Sequence, residues 1–137
     1  MIRGTAIVPD LAPYVAQLGA MPGVQAVVVA AVDGMRLAAS ASLSREAGER
    51  TCAMVSSLLS ASRAAGGAIT DSASVPAVGQ VVVESDLGFL IVMPAGENST
   101  LAALAEPGAD IGTVAFEMSR SVAALGRVFG TAARAEG

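Results

Sequence analysis

The segment Gly88–Phe129 constrains the fold of this 137-residue chain more than any other. It opens with an unbroken apolar run, Gly88-Phe-Leu-Ile-Val-Met-Pro-Ala95, turns at Gly96-Glu-Asn-Ser99, and continues as a second run, Thr100-Leu-Ala-Ala-Leu-Ala105. Apolar runs of this length between turn residues predict strands covered on both faces. Asp110 then stands where it can cap a helix. In that helix Ile111, Val114, Ala115, Met118, Val122, Leu125 and Phe129 recur at three- and four-residue steps, so one face is committed to the sheet. None of these elements carries the polar residues that covalent chemistry needs. The chain is expected to act through a surface.

The rest of the chain supplies the missing layers. Residues 1–9 have no clear pattern and are expected to form a loose arm, ahead of one domain over 10–130 and a flexible tail over 131–137. Asp10–Leu18 predicts a short helix capped by Asp10, with Pro13 in the tolerant first turn and Leu11, Val15 and Leu18 on one face. Gly19 and Pro22-Gly23 should end it. Val24–Val32 is β-branched and nearly all apolar, a strand buried on both faces. Asp33-Gly34 is a two-residue hairpin signal, and the more polar return strand Met35–Ser40 suits a place near a sheet edge.

A long helix is expected from Ser44 to Ala65, roughly 33 Å at 1.5 Å per residue. Ser44 offers an N-cap, and Glu46 and Glu49 lie in the early turns where the helix dipole favours anions. Ala47, Met54, Val55, Leu58 and Leu59 make its apolar stripe, and Gly66-Gly67 is the expected stop. After a polar connector, Ala68–Pro76, the spacing predicts a strand over Val78–Glu84 and a hairpin at Ser85-Asp-Leu-Gly88, with Gly88 free to take positive φ. The short turns make the sheet antiparallel, with helices on both faces. Five strands and three helices then form an α/β sandwich.

Composition narrows the functional classes. Hydrophobic residues make up 53% of the chain but aromatics only 3%, so the apolar content is mainly small and aliphatic. No stretch is long and apolar enough for a transmembrane helix, and the N-terminus lacks a signal-peptide core. A net charge of −4 argues against nucleic acid, which needs a cationic footprint. All basic residues are arginines, a composition associated with GC-rich bacterial genomes. The single Cys52 and the lack of His exclude an intrachain disulfide and a Cys/His metal site, as suits a reducing cytoplasm.

A nucleophile–base pair needs a base, and with neither His nor Lys the candidates shrink to carboxylates and Tyr14. Asp33 and Asp86 sit at hairpins and Asp110 at a cap, each with a complete structural role. Cys52 reads as a buried structural thiol. A Lys-bearing phosphate loop cannot exist here, and the Glu97-Asn98 turn reads as a solvated hairpin. No catalytic residue, metal or cofactor is expected. The strand with Val78, Val81, Val82 and Val83 would recruit other chains if left as an edge. High apolar content with few aromatics likewise favours a dimer over a monomer.

The order and spacing of Pro22-Gly-Val-Gln-Ala-Val-Val-Val29, Asp33-Gly34, Leu37-Ala-Ala-Ser40, Glu84 with Gly88-Phe-Leu-Ile-Val-Met93, and Asp110-Ile-Gly-Thr-Val-Ala-Phe-Glu-Met118 resemble the roadblock/LC7 family over about Leu11 to Phe129. The likeness is to bacterial members that work beside small Ras-like GTPases, and the Arg-only, Ala-rich style resembles actinobacterial members encoded with a sensor-kinase-like protein and a small adaptor. The resemblance implies the profilin-like order α-β-β-α-β-β-β-α, with the five-stranded antiparallel sheet between a long central helix on one face and two helices on the other. It implies a homodimer joined at an edge strand and along the central helices, here Met54, Leu58, Val78, Gln80, Val81, Val82 and Val83. A GTPase would be met by Arg50, Ser57 and Arg63. Arg45, Arg50 and Arg63 are the candidates for an inserted arginine, though binding and ordering of switch loops is the expected mode. The protein is then a non-catalytic cytoplasmic regulator or scaffold, reaching the membrane only through partners. The alternative is a small-molecule-sensing domain of the same helix-covered shape.

Overall fold

The computed structural model describes residues 10–71, 73 and 76–136, with side chains described as far as 128; the expected N-terminal arm lies outside the described residues. The elements follow as α1 (Ala12–Gly19), β1 (Val24–Ala31), β2 (Arg36–Ala39), α2 (Arg45–Thr70), β3 (Val81–Ser85), β4 (Gly88–Pro94), β5 (Ser99–Ala105) and α3 (Ile111–Glu136). The strands form one antiparallel sheet in the order β2-β1-β5-β4-β3, so the return strand β2 lies at an edge as its polarity predicts, and β3 is the other edge.

Period-two alternation divides the side chains between two cores. Val27, Val29, Ile91, Met93, Leu101 and Ala103 face α1 and α3, where Leu11, Val15, Leu18, Val114, Met118 and Leu125 close over them. Val28, Ala30, Val92 and Ala102 face α2, which contributes Cys52, Val55 and Leu59. The three inner strands therefore have no solvent face, which is why their sequences read as continuous apolar runs. Each large side chain removed from water here stabilises the fold by about 1.5–3 kcal/mol. One long helix on one face and two helices on the other is the expected sandwich.

Helix boundaries depart from the sequence expectation in three places. Asp10 does not occupy the N-cap of α1; Leu11 does, and Asp10 Oδ1 accepts the Ala12 amide at 3.1 Å. Gly66-Gly67 does not stop α2, which runs 26 residues to Thr70 and ends at Asp71 with φ 51°. A Cβ at Gly66 would lie 2.8 Å from Cγ of Pro76, so this glycine is a notch for the returning chain and not a terminator. Thr70 Oγ1, donating to the Gly66 and Gly67 carbonyls at 2.9 and 3.2 Å, closes the last turn. Finally, α3 continues as helix through the stretch expected to be a flexible tail, ending at Glu136.

The hairpin between β3 and β4 turns on two residues, Asp86 and Leu87, with Ser85 paired to Gly88. Gly88 has φ +129°, and a Cβ there would collide with the Ala105 carbonyl oxygen of the adjacent strand. Two constraints, conformation and close approach, fall on one position. Gly88→Ala should cost about 1–3 kcal/mol in urea unfolding. Gly79→Ala, with nothing within 4 Å of its added methyl, should leave the midpoint unchanged or slightly raised. Asp110 caps α3 as expected, Oδ2 accepting the Thr113 hydroxyl at 2.9 Å and Oδ1 the Thr113 amide at 3.2 Å. The Thr113 hydroxyl and amide hold the Asp110 carboxyl below its usual range. The cap therefore contributes in full above the ordinary carboxylate pKa and fades as pH falls through its lowered one. The urea midpoints of wild type and Asp110→Ala should differ at neutral pH and converge in acid.

Candidate interaction surface

Helix α2 is built to lie on the sheet and leave most of its circumference outside. Ser44 Oγ accepts the Ala47 amide at 3.0 Å to start it. Gly48, Cys52, Val55 and Leu59, at steps of four, three and four, form the line that touches the sheet. Met54, expected in that stripe, is instead 65% exposed. At position 48 a side chain would be tight, because an added Cβ would meet Ala39 Cβ and Arg36 Nε at 3.3 Å each. The helix N-terminal half is thus drawn down onto β2. Cys52 is fully buried, its Sγ donating to the Val29 carbonyl at 3.7 Å. Burial pushes its thiol pKa up, against a smaller opposing effect of Arg36, so it stays protonated and chemically quiet, the structural role expected of it.

The two flanks of α2 differ in chemistry. On one, Gly34 of the β1–β2 hairpin comes against Ala53, and Ser56 Oγ donates to the Ala31 carbonyl at 3.2 Å. Val32, Asp33, Ala53, Ser56, Ser57 and Ser60 line the cleft between hairpin and helix. Helical spacing puts Met54, Leu58, Ala61 and Ala65 on the opposite flank. Leu58, Val78, Val81 and Leu90 border the α2-side core there. Val83, 40% exposed, is paired with Leu90 and shares its face.

Leu58, Val78 and Val81 therefore pack against the same core, with exposed Met54 on the Leu58 flank of the helix and exposed Val83 on the Val81 face of the sheet. Val82, 41% exposed and paired with Ile91, lies on the opposite face of the sheet. Val78 and Gln80 belong to the lead-in and not to the strand, which begins only at Val81; Val78 still packs against the core, while Gln80 is exposed.

The arginines are not gathered into one patch. Arg50 and Ser57 lie two turns apart on the exposed crest of α2, whereas Arg63 is half-buried toward the hairpin flank. Arg45 pairs with Glu49 at 3.2 Å in an exposed i,i+4 contact worth little. Among the described residues Arg50 and Arg63 make no ion pair. Two exposed groups escaped the sequence expectation. Ile69, 86% exposed, rides on the turns of α2 beyond the assumed stop, and Val32 and Met35, 61% and 67% exposed, flank the hairpin turn. The first could have been found from the lack of a polar residue between Ala64 and Ile69; nothing in the pattern marks the second.

A groove of about 810 Å³ separates α1 from β2, bordered by Leu11, Val15, Gln25, Arg36 and Ser40. Its one inner hydroxyl is already engaged: Ser40 Oγ accepts the Val27 amide at 2.7 Å and donates to the Val27 carbonyl at 3.2 Å. Among the described residues no buried side-chain nitrogen or oxygen lacks a partner, and no three metal-ligating side chains converge. Among the described residues no helix is long and apolar enough to cross a membrane.

Comparison with known proteins agrees with this architecture. A Roadblock/LC7 domain from Streptomyces avermitilis is 30% identical, superposes with a TM-score of 0.76 and covers 85% of this chain and 95% of its own. An MglB solved in a tetrameric arrangement has the same fold at 19% identity, with a TM-score of 0.76 over 88% of each chain. Profilin IA from Acanthamoeba castellanii shares the fold at 15% identity, with a TM-score of 0.59 over 85% of this chain and 97% of its own. Curated proteins return no match. The Roadblock/LC7 domain model matches residues 14–105, two-thirds of the chain. With that match and the Streptomyces relative, the chain belongs to the Roadblock/LC7 family.

Proposed function

We propose that this protein is a non-catalytic homodimeric regulator or scaffold that binds a small Ras-like GTPase and modulates its nucleotide cycle in a bacterial signalling system. The observation that carries the proposal is the exposed apolar surface at Met54 on α2 and at Val82 and Val83 on the β3 edge of a Roadblock/LC7 domain. An unpaired strand edge flanked by exposed Val82 and Val83, beside exposed Met54, is a surface that water serves poorly and a second copy serves well. Two-fold pairing would join β3 to β3 and set the α2 flanks side by side, a self-complementary contact of the kind closed dimers use. The tetrameric arrangement of a protein with this fold is in keeping with association between copies.

With the flank covered, the crest bearing Arg50 and Ser57 stays open to a third chain, and a GTPase docked there would have its switch loops ordered by contact. A sensor-kinase-like protein and a small adaptor of the same operon are further proposed partners, and through them the membrane. A second reading, a small-molecule sensor, is favoured only by the groove between α1 and β2. Strong thermal stabilisation by a metabolite, with no effect on a GTPase, would support it.

Light scattering coupled to size exclusion should give the mass of a dimer for the wild type, and monomer for Met54→Asp or Val83→Lys with unchanged far-UV dichroism. A wild type that is monomeric at every loading concentration overturns the dimer. Mixing with the Ras-like GTPase of the same operon should give a complex in at least one nucleotide state. Arg50→Ala should weaken it about tenfold, near 1.4 kcal/mol, without altering the dimer. Failure to co-elute in both the GDP and GTP states would remove the partner.

A further inference from the structure

The sheet ends in two unpaired edges that are built differently. Along β3 every residue faces one partner, from Val81 opposite Val92 to Ser85 opposite Gly88, so the edge is straight and in register throughout. Along β2 the register breaks: Ala38 lies opposite Val29 and Arg36 opposite Ala30, leaving Leu37 as an extra, unpaired residue. Such a bulge bends the strand and increases its local twist, which spoils the flat row of amides and carbonyls that an incoming strand needs. The strand is also short, four residues, and its ladder to β1 becomes irregular at the far end. There the Ser40 hydroxyl, not a backbone carbonyl, takes the Val27 amide at 2.7 Å, while the Ser40 amide donates to the Val27 carbonyl at 2.9 Å.

We propose that the Leu37 bulge closes the β2 edge to strand addition, so that a second copy of this chain joins only through β3 and assembly stops at a two-fold pair. The proposal rests on the dimer reading given above and goes beyond it. If both edges accepted their own kind, alternating β3–β3 and β2–β2 contacts would have no closing operation and would grow into filaments. The bulge makes the sheet one-sided as an assembly unit.

Deletion of Leu37 tests this directly. Arg36 and Ala38 keep their partners Ala30 and Val29 on opposite faces, so the deletion straightens β2 while preserving its inward and outward alternation. Sedimentation velocity should show the wild type as a dimer at all concentrations. The deletion variant should form species larger than the dimer, in growing proportion as concentration rises. Combining the deletion with Val83→Lys should return a dimer, now paired through β2, where Val83→Lys alone gives monomer. A wild type that is monomeric overturns the dimer reading; a dimeric wild type with a natively folded deletion variant that also stops at the dimer overturns the bulge proposal alone. Amide exchange on the wild type decides the matter even if the deletion variant does not fold. In the wild-type dimer the β3 amides that point away from β4 should be protected and the β2 amides that point away from β1 should exchange freely; protection of those β2 amides overturns the proposal.

Discussion

Everything in this domain depends on a sheet whose inner strands have no solvent face. Between α2 on one side and α1 with α3 on the other, β1, β5 and β4 are apolar except at exposed Gln25 and at Ser99 and Thr100 where β5 begins, and the strand at the centre must also be slim. β5 meets that demand with Ala102, Ala103 and Ala105, each 2% exposed or less, around Leu101. Small side chains at the middle let both helical layers approach the sheet, and the larger residues Ile91, Met118 and Leu125 then fill the space above it. Chemistry is crowded out by the same demand. A polar catalytic group in these strands would be buried without water, and the buried Ser99 hydroxyl is spent on the Ala95 carbonyl.

Because the interior is closed, specificity has moved to the periphery, where two edges and one helix differ in small ways that matter. The short, bulged β2 and the regular β3 belong to one sheet yet present opposite invitations. Helix α2 likewise has a polar flank toward the hairpin and an apolar flank opposite it. The helix is asymmetric in chemistry and the sheet in geometry.

Much of this was legible in the residues, and the failures have a common cause. β1, β4 and β5 are evident because burial on both faces leaves an unbroken apolar signature, and the Asp33-Gly34 and Asp86-Leu87 turns because their chemistry is local. The extent of α2 was not, since a glycine pair is a valid stop signal, whereas here Gly66 stays helical and its missing side chain makes room for Pro76, ten residues away in sequence. The start of β3 was misjudged for the converse reason: Val78 is apolar because it covers the core as coil. On the surface, the separation of Met54 and Leu58 from Arg63 depends on which way the helix leans over the sheet. No periodicity encodes that direction.

The notch at Gly66 has a consequence for the surface as a whole. Pro76 seated against the helix fixes one end of the strap that leads through Val78 into β3, while the other end is fixed by the ladder to β4. The helical flank and the strand edge are therefore not two independent patches that happen to be neighbours. The close approach of Pro76 to Gly66 ties them to a common spacing. A partner that displaced either one would have to work against the other, so the two halves of the surface should be recognised, or lost, as a single unit.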